Sequence, residues 1–424
     1  MRRVAILGGA RIPFARANGA YAEASNQDML TAALRALVER FHLKGERIGE
    51  VAAGAVIKHS KDWNLAREST LGAGLHPTTP AYDLQRACGT SLSAAAQLAN
   101  RIALGEIDSA IAGGADSTSD IPLAFGSALQ RIVLRSARGR SFGQRLSPWL
   151  DFRFKDLKAV SPRTGEPRTG LSMGEHCEEM AKEWKIGRRE QDELALASHK
   201  NAAAAWQQGF YDDLVFEFKN VKRDNNIRGD TSLEKLGALK TAFDPSPAGT
   251  LTAGNSSPLT DGAACVLLAS EEWAAKRGIP PQAFLTFTET AAVDFVGMAG
   301  PKEGMLMAPA YAVPRMLERA GLKLQDFDLY EIHEAFAAQV LCTLKAWESE
   351  EWCLARLGRR ALGSVSSKKL NLKGSSVALG HPFAATGARI IATLAKQLAQ
   401  RGSGRGLISI CAAGGQGVTA IVER

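Results

Sequence analysis

Cysteine is scarce in this chain. Six thiols in 424 residues are too few and too scattered for a disulfide framework, and no CxxC pair or Cys/His cluster with zinc spacing occurs. The thiols are therefore expected to be reduced, which implies a cytosol-like compartment, and no metal site is expected. Long apolar runs are also missing. No segment approaches the ~20 apolar residues of a membrane span. The opening MRRVAILGGARIPF has only a short apolar run before Gly8 and Gly9, which reads as a first β-strand rather than a signal peptide. Peripheral membrane contact stays open. Charge is only mildly unbalanced: 52 Lys and Arg against 44 Asp and Glu give a net charge of +8. That suits an anionic ligand, nucleic acid or anionic lipid alike. Much of the basic charge falls between Arg131 and Arg168, where the plain reading is a solvated, arginine-rich surface loop.

What is present is enough chain for more than one core. With 45% apolar and 23% charged residues, the composition is that of a globular protein of two or three domains, or of one large intertwined unit. The chain states one plan twice. From Asp28 to Ile57, DMLTAALRALVERFHLKGERIGEVAAGAVI reads as amphipathic helix, polar break and strand, and residues 311–337, YAVPRMLERAGLKLQDFDLYEIHEAFA, repeat it. A second pair follows. From Cys88, CGTSLSAAAQLANRIALGEIDSAIAGGAD is a small-residue helix, a turn at Gly105, and a strand ending in Gly113-Gly114. From His381, HPFAATGARIIATLAKQLAQRGSGRGLISICAAGGQG repeats that order and ends in Gly414-Gly415. Strand and helix in alternation imply α/β layers, and two matching halves imply duplication of one α/β unit. Small residues allow close packing, so the helices after Cys88 and His381 are expected to be central and buried, with N-termini that favour anions. Between about Ile121 and Thr241 the text is irregular, basic and punctuated by Pro and Gly. One clear helix pair lies in GEHCEEMAKEWKIGRREQDELALASHKNAAAAWQQGF, and strand pattern resumes in residues 249–270. This middle reads as an inserted loop domain.

Four residues attract chemical interest. Cys88 opens a predicted helix, where the dipole would lower its thiol pKa and enrich the nucleophilic thiolate. The competing reading is a small buried apolar residue, against which Gly89, Thr90 and Ser91 leave room and polarity around the sulfur. His381, between Gly380 and Pro382, falls just outside a helix N-terminus that would keep it neutral and able to act as a base; a capping role is the alternative. Cys411 closes the strand LISIC and enters AAGGQG, where N–H groups can converge on an oxyanion, or where a buried thiol simply precedes a tight turn. His333, in YEIHEAFA, falls at a strand end, where polar site residues often lie. Glu334 beside it either orients it or is a surface charge.

The set RACGTSLSA, HEAFA, GHPFAATGAR and CAAGGQG, in that order on a duplicated α/β framework, resembles the thiolase family. AGNSSPLTDGAA at residues 253–264, LSMGEHCEEMA and NNIRGDTSLEKL extend the resemblance over essentially the whole chain. HEAF, DNNIRGDTSL, ALGHPFAATGAR and the stretch 345–373 are most similar to the thiolase subunit of the fatty-acid β-oxidation trifunctional complexes.

The resemblance implies a five-layer α-β-α-β-α architecture. An N-terminal half over 1–285 would carry the inserted loop domain at about 121–245, and a C-terminal half would span 286–424. It implies a 3-ketoacyl-CoA thiolase, with CoA as co-substrate and no tightly bound cofactor. Cys88 would be the nucleophile that carries the acyl thioester, His381 its base, and Cys411 the proton donor and acceptor. His333 would hold a water at the enolate oxygen, where many thiolases use asparagine. The backbone N–H groups of Cys88 and Ala413 would meet the tetrahedral oxyanion; many thiolases have glycine at the position of Ala413. Arg228, Thr231 and Ser257 would bind CoA, and Met173 would line the acyl pocket. For Arg228 a surface salt bridge is the alternative, and for Met173 plain core packing. Expected partners are acyl-CoA and CoA, a second copy or three further copies of the chain, and a hydratase/3-hydroxyacyl-CoA dehydrogenase subunit, in the cytoplasm and without nucleic acid. The competing readings are a biosynthetic acetyl-CoA acetyltransferase, a ketosynthase-like enzyme of the same fold, and a silent acyl-CoA- or lipid-binding relative.

Overall fold

The computed structural model describes all 424 residues. Twelve strands form: β1 (Val4–Arg11), β2 (Ala15–Arg16), β3 (Glu50–Ala53), β4 (Ala81–Asp83), β5 (Ser109–Asp116), β6 (Ala124–Phe125), β7 (Ala159–Val160), β8 (Thr260–Ser270), β9 (Ala283–Ala292), β10 (Leu329–Ile332), β11 (Arg405–Ala412) and β12 (Gln416–Glu423). Ten of them hydrogen-bond in the order β10-β11-β12-β9-β1-β8-β5-β3-β4, with β2 on β8. Only two residue pairs, Ala5 with Phe284 and Ile6 with Ala283, join β1 to β9. On either side of that seam the pattern repeats. In the first half β3 runs parallel to β5, β5 antiparallel to β8, and β8 antiparallel to β1. In the second, β10, β11, β12 and β9 follow in the same senses. The parallel partner β4 of β3 has a remnant as well: Leu370 makes a single parallel bridge to Tyr330 of β10. The expected duplication is therefore a property of the hydrogen-bond ladder.

Alternate residues of a strand face opposite sides, and both sides of both halves are covered. Val266 and Leu268 of β8 and Ile408 and Ile410 of β11 share one core with Leu92, Leu98, Ile390 and Leu394. Those last four belong to helices Thr90–Leu104 and Thr386–Arg401, which lie between the two halves. Leu267, on the opposite face of β8, packs with Leu30, Leu34 and Leu37 of helix Asn26–Arg40. Leu407 and Ile421 pack with Val313, Met316 and Leu317 of helix Ala308–Ala320. The result is helix, sheet, helix, sheet, helix. The central contact needs glycine: a Cβ at Gly387 would come within 2.3 Å of the Leu92 backbone nitrogen.

Local chemistry sets the ends of these elements. Ser25 caps helix Asn26–Arg40: its hydroxyl accepts from the Asp28 N–H while the Asp28 carboxylate accepts from the Ser25 N–H, a reciprocal capping box. Helix Ala308–Ala320 carries Pro314 in its interior. A proline has no N–H for the carbonyl one turn earlier, and here the Trp347 indole N–H donates to Ala310 O instead (3.4 Å).

The segment between β5 and β8 adds no strand to the large sheet; β6 and β7 pair only with each other. The helix pair expected here is Met173–Glu183 and Arg188–Gln207. The arginine-rich stretch departs from the irregular loop expected of it: Ser127–Arg138 is helical, with only Leu129 and Ile132 buried. Its apolar residues Leu129 and Ile132 are spaced for one helical face, with Arg131, Arg135 and Arg138 outside it. The insertion is anchored by a buried pair, Arg11 Nη1 and Nη2 on Asp224 Oδ1 and Oδ2 at 2.6 and 2.7 Å. No helix is long and apolar enough to cross a membrane.

Candidate active site

The two central helices bring Cys88 and His381 together from opposite halves. Ala87, at φ +42°, occupies the left-handed region that non-glycine residues seldom adopt, so the turn before the Cys88 helix is sharp. Gly89 is the N-cap and Thr90 the first helical residue. Cys88 thus stands one residue ahead of the cap rather than inside the helix. His381 follows Gly380, whose φ of +104° and close approach to Thr260 exclude a side chain. A single 3-10 turn, Phe383–Ala385, separates it from helix Thr386–Arg401, so Pro382 precedes that turn rather than starting the helix.

His381 Nε2 lies 3.1 Å from Cys88 Sγ, and His381 Nδ1 lies 2.6 Å from Thr386 Oγ1. For Nε2 to accept the thiol proton, Nδ1 must carry the ring hydrogen and donate it to Thr386. The His381 N–H donates to Thr260 Oγ1 (3.2 Å). Asp116, at the end of β5, accepts from the N–H groups of Val56, Ile57 and Ala384 at 2.8–2.9 Å, and so ties the first-half sheet to the His381 loop. Burial raises its carboxyl to about 7 against these stabilising N–H groups.

Electrostatics correct one expectation. Burial pushes the Cys88 thiol up to about 12, although the Ala413 N–H and the Cys88 N–H at the sulfur pull the other way. The helix end does not lower it, because desolvation of an anion outweighs a partial dipole. Burial, with the Arg389 charge added, lowers His381 to about 3. The imidazole is neutral as expected, but for these reasons rather than through the helix end. The resting pair is a neutral thiol and a neutral imidazole.

Cys411 lies near the end of β11 and is buried. Burial raises its pKa well above the ordinary thiol value, and the nearby Cys88 adds to the shift. His333 follows β10 directly and is fully buried. Its ring centroid is 4.2 Å from that of His381, its Nδ1 is 2.8 Å from Ser376 Oγ, and its Nε2 has no partner within the protein. Burial first, then the neighbouring His381 and Arg389, keep it neutral. Glu334 is neither an orienter of His333 nor a surface charge. It is buried and accepts from the Ser198 hydroxyl, the Asn371 amide and the Val377 N–H.

Cys88, His381, His333, Cys411 and the Ala413 N–H therefore meet at one place. Ser257 and Met173 are each tied to an element that carries a site residue. The Ser257 N–H donates to Ala335 O in the loop after His333, and Met173 packs on the cluster that contains Cys411. Arg228 and Thr231 share one turn of the insertion, where the Thr231 N–H donates to Arg228 O (3.0 Å) and Thr231 is buried. Arg228 is exposed and its side chain makes no ion pair, while its backbone N–H donates to His199 Nδ1 (3.1 Å). The salt bridge weighed for Arg228 does not form. A groove of about 660 Å³ between helix Asn26–Arg40 and residues 216–219 holds none of these residues.

The family description "Thiolase, N-terminal domain" matches residues 4–272, and "Thiolase, C-terminal domain" matches residues 287–424. The chain belongs to the thiolase family. It is an acyltransferase by that membership. This thiolase is 42% identical over 428 residues to proteins named 3-ketoacyl-CoA thiolase from Yersinia pestis (strain Pestoides F) and Yersinia pseudotuberculosis (serotype O:1b, strain IP 31758), covering 99% of this chain and 97% of each relative. It is also similar to the crystal structure of the Bacillus anthracis acetyl-CoA acetyltransferase, at TM-score 0.81 and 32% identity, covering 100% of this chain and 99% of that one.

Sequence reasoning missed Thr386, Ser376, Asp116 and Arg389. Thr386 had a signal, a hydroxyl five residues after His381 at a helix start. Arg389 also lay inside GHPFAATGAR, whereas the contacts of Ser376 with His333 and of Asp116 with the His381 loop join segments 43 and 268 residues apart, which no local pattern reveals.

Proposed function

We propose that this thiolase cleaves 3-ketoacyl-CoA with CoA to acetyl-CoA and a shortened acyl-CoA, in fatty-acid β-oxidation. The observation that carries the reading is the 3.1 Å approach of His381 Nε2 to Cys88 Sγ beside a second buried thiol, Cys411. His381 takes the Cys88 proton as the sulfur attacks the 3-keto carbon, and the N–H groups of Cys88 and Ala413 receive the oxyanion. Collapse breaks the C2–C3 bond, and the electron pair passes to the acetyl-CoA enolate. Cys411, held protonated by burial, delivers its proton to that carbon. CoA then enters and gives its thiol proton to the Cys411 thiolate. The CoA sulfur attacks the thioester, and Cys88 leaves and recovers its proton from His381. Protons and electron pairs balance over the cycle.

An ordinary acyl-transfer site needs only the first thiol. The second supplies a proton donor for carbon, and its presence argues against a ketosynthase-like enzyme and against a silent relative. The 42% relatives named 3-ketoacyl-CoA thiolase favour degradation over the biosynthetic condensation. The exposed guanidinium of Arg228 suits a CoA phosphate, with Thr231 and Ser257 along the same cofactor-sized ligand and Met173 at the acyl chain. A division into halves at 285/286 is supported by the repeated strand order and by family matches that end at 272 and resume at 287. A homodimer or homotetramer, a hydratase/3-hydroxyacyl-CoA dehydrogenase partner and a cytoplasmic setting rest on likeness to the family.

The test is thiolysis of 3-ketoacyl-CoAs of graded length. Cleavage that requires free CoA supports the reading. Absence of cleavage at every length, or full turnover by Cys411→Ala, overturns it.

A further inference from the structure

His333 is fully buried, with Nδ1 on Ser376 Oγ (2.8 Å) and Nε2 unpartnered. A ring nitrogen of His333, one of His381 and Cys88 Sγ all lie within 4.8 Å of one another. What the unpartnered nitrogen can do depends on where the ring hydrogen resides, and the structure holds the means of deciding that. Ser376 Oγ, fully buried, touches two side chains: His333, and Arg389 of the second central helix, whose Nη2 donates to it at 2.8 Å. A guanidinium has only donors. It takes one lone pair of the hydroxyl and cannot accept the hydroxyl hydrogen. The acceptor left for that hydrogen is His333 Nδ1, since Ser376 Oγ has no third partner. An imidazole that accepts at Nδ1 carries its own hydrogen at Nε2.

We infer that Arg389 and Ser376 are positioning residues that lock His333 in its Nε2–H tautomer, so that the unpartnered nitrogen is a donor directed at the Cys88–His381 pair. The relay runs in one direction: Arg389 N–H to Ser376 oxygen, Ser376 O–H to His333 Nδ1, His333 Nε2–H into the site. Arg389 is itself held in place: its Nη1 reaches Ser375 Oγ (3.4 Å), and Ser375 Oγ reaches Ile332 O beside His333 (3.4 Å). A histidine can thus supply a fixed N–H donor, as an amide NH2 does without any tautomer choice. The same relay makes the three clustered groups a poor metal cradle, because a protonated Nε2 has no lone pair to offer. This inference deepens the proposed function and rests on it for the use of the donor, but the tautomer itself is independent of activity.

The experiment uses the full chain labelled with 15N in its histidines. Long-range 1H–15N correlation assigns each tautomer, and the His333 signals are identified by their loss in His333→Asn. The expected result is an Nε2–H tautomer in the wild type, with a shift to Nδ1–H or to a mixture in Ser376→Ala. An Nδ1–H tautomer in the wild type, or an unchanged pure Nε2–H tautomer in Ser376→Ala, overturns the relay whatever the enzyme turns over. In thiolysis, Ser376→Ala should lower kcat on the order of 10²-fold, the cost of losing one oxyanion donor, with KM nearly unchanged and with recovery in Ser376→Thr. In a His333→Asn background the same substitution should cost less than about threefold. An equal loss in both backgrounds would make Ser376 structural and overturn the inference.

Discussion

Thr386 is the sharpest handle on the Cys88–His381 pair. Its Oγ1 lies 2.6 Å from His381 Nδ1, and both residues are buried. Thr386→Val keeps the shape of the side chain and removes the only acceptor of the ring N–H. A buried donor left without a partner costs roughly 1–3 kcal/mol. The imidazole escapes part of that cost by moving its hydrogen to Nε2, where it faces the Cys88 sulfur and cannot take the thiol proton. Whichever way the ring settles, the productive state is disfavoured by about the same amount, which is about 5- to 150-fold in rate. The loss should fall on acylation of Cys88, read as the first-turnover rate with 3-ketoacyl-CoA, while substrate affinity stays near that of the wild type. Thr386→Ser, which keeps the hydroxyl, should recover most of the rate. Acylation by Thr386→Val within twofold of the wild-type rate would refute this account of the base.

Three further outcomes follow from the same structure. Gly387→Ala puts a Cβ within 2.3 Å of the Leu92 backbone, which cannot give way as a side chain would; a loss of at least about 1–3 kcal/mol in urea denaturation is expected, with activity lost alongside. Arg11→Ala strands the buried Asp224 carboxylate, whose remaining donors are the Phe14 N–H and the Trp206 indole; denaturation should show a loss of about 3–5 kcal/mol, and an unchanged midpoint would dismiss the pair as an anchor. Because burial raises Cys88 to about 12, the thiol stays protonated through neutrality, and its alkylation by iodoacetamide in the free enzyme should rise about tenfold per pH unit from pH 7 to 9. A rate already flat across that range would mean a resting thiolate. His381, lowered to about 3, stays neutral over the same range and contributes no acid limb near pH 6.

The framework was legible in the chain because it is periodic and stated twice. Helix, break and strand recur with matching turns at Gly105 and Gly402, and the small-residue helices after Cys88 and His381 are central because only small residues let them meet. The acid–base state of Cys88 was not legible. A helix N-terminus announces itself in sequence, whereas the density of apolar atoms around a sulfur does not, and here desolvation outweighs the dipole. Glu334 illustrates the same limit: beside His333 it reads as an orienter or a surface charge, yet its three donors come from Ser198, Asn371 and Val377. Arg389 looks like one more charged residue of a helix until the fold buries it against Ser376. The arginine-rich helix Ser127–Arg138 was legible and passed over: Leu129, Ile132 and Val133 recur at helical spacing among its arginines, and the weight of basic charge drew the loop reading instead.

The central claim is that Cys88 carries the acyl group while Cys411 serves carbon. Intact-protein mass spectrometry with peptide mapping, after mixing the enzyme with a 3-ketoacyl-CoA and no free CoA, tests it most directly. The account predicts a mass gain equal to the shortened acyl group, located on Cys88 and absent from Cys88→Ala. An acyl group on any other residue, or no adduct together with continued thiolysis by Cys88→Ala, would contradict it.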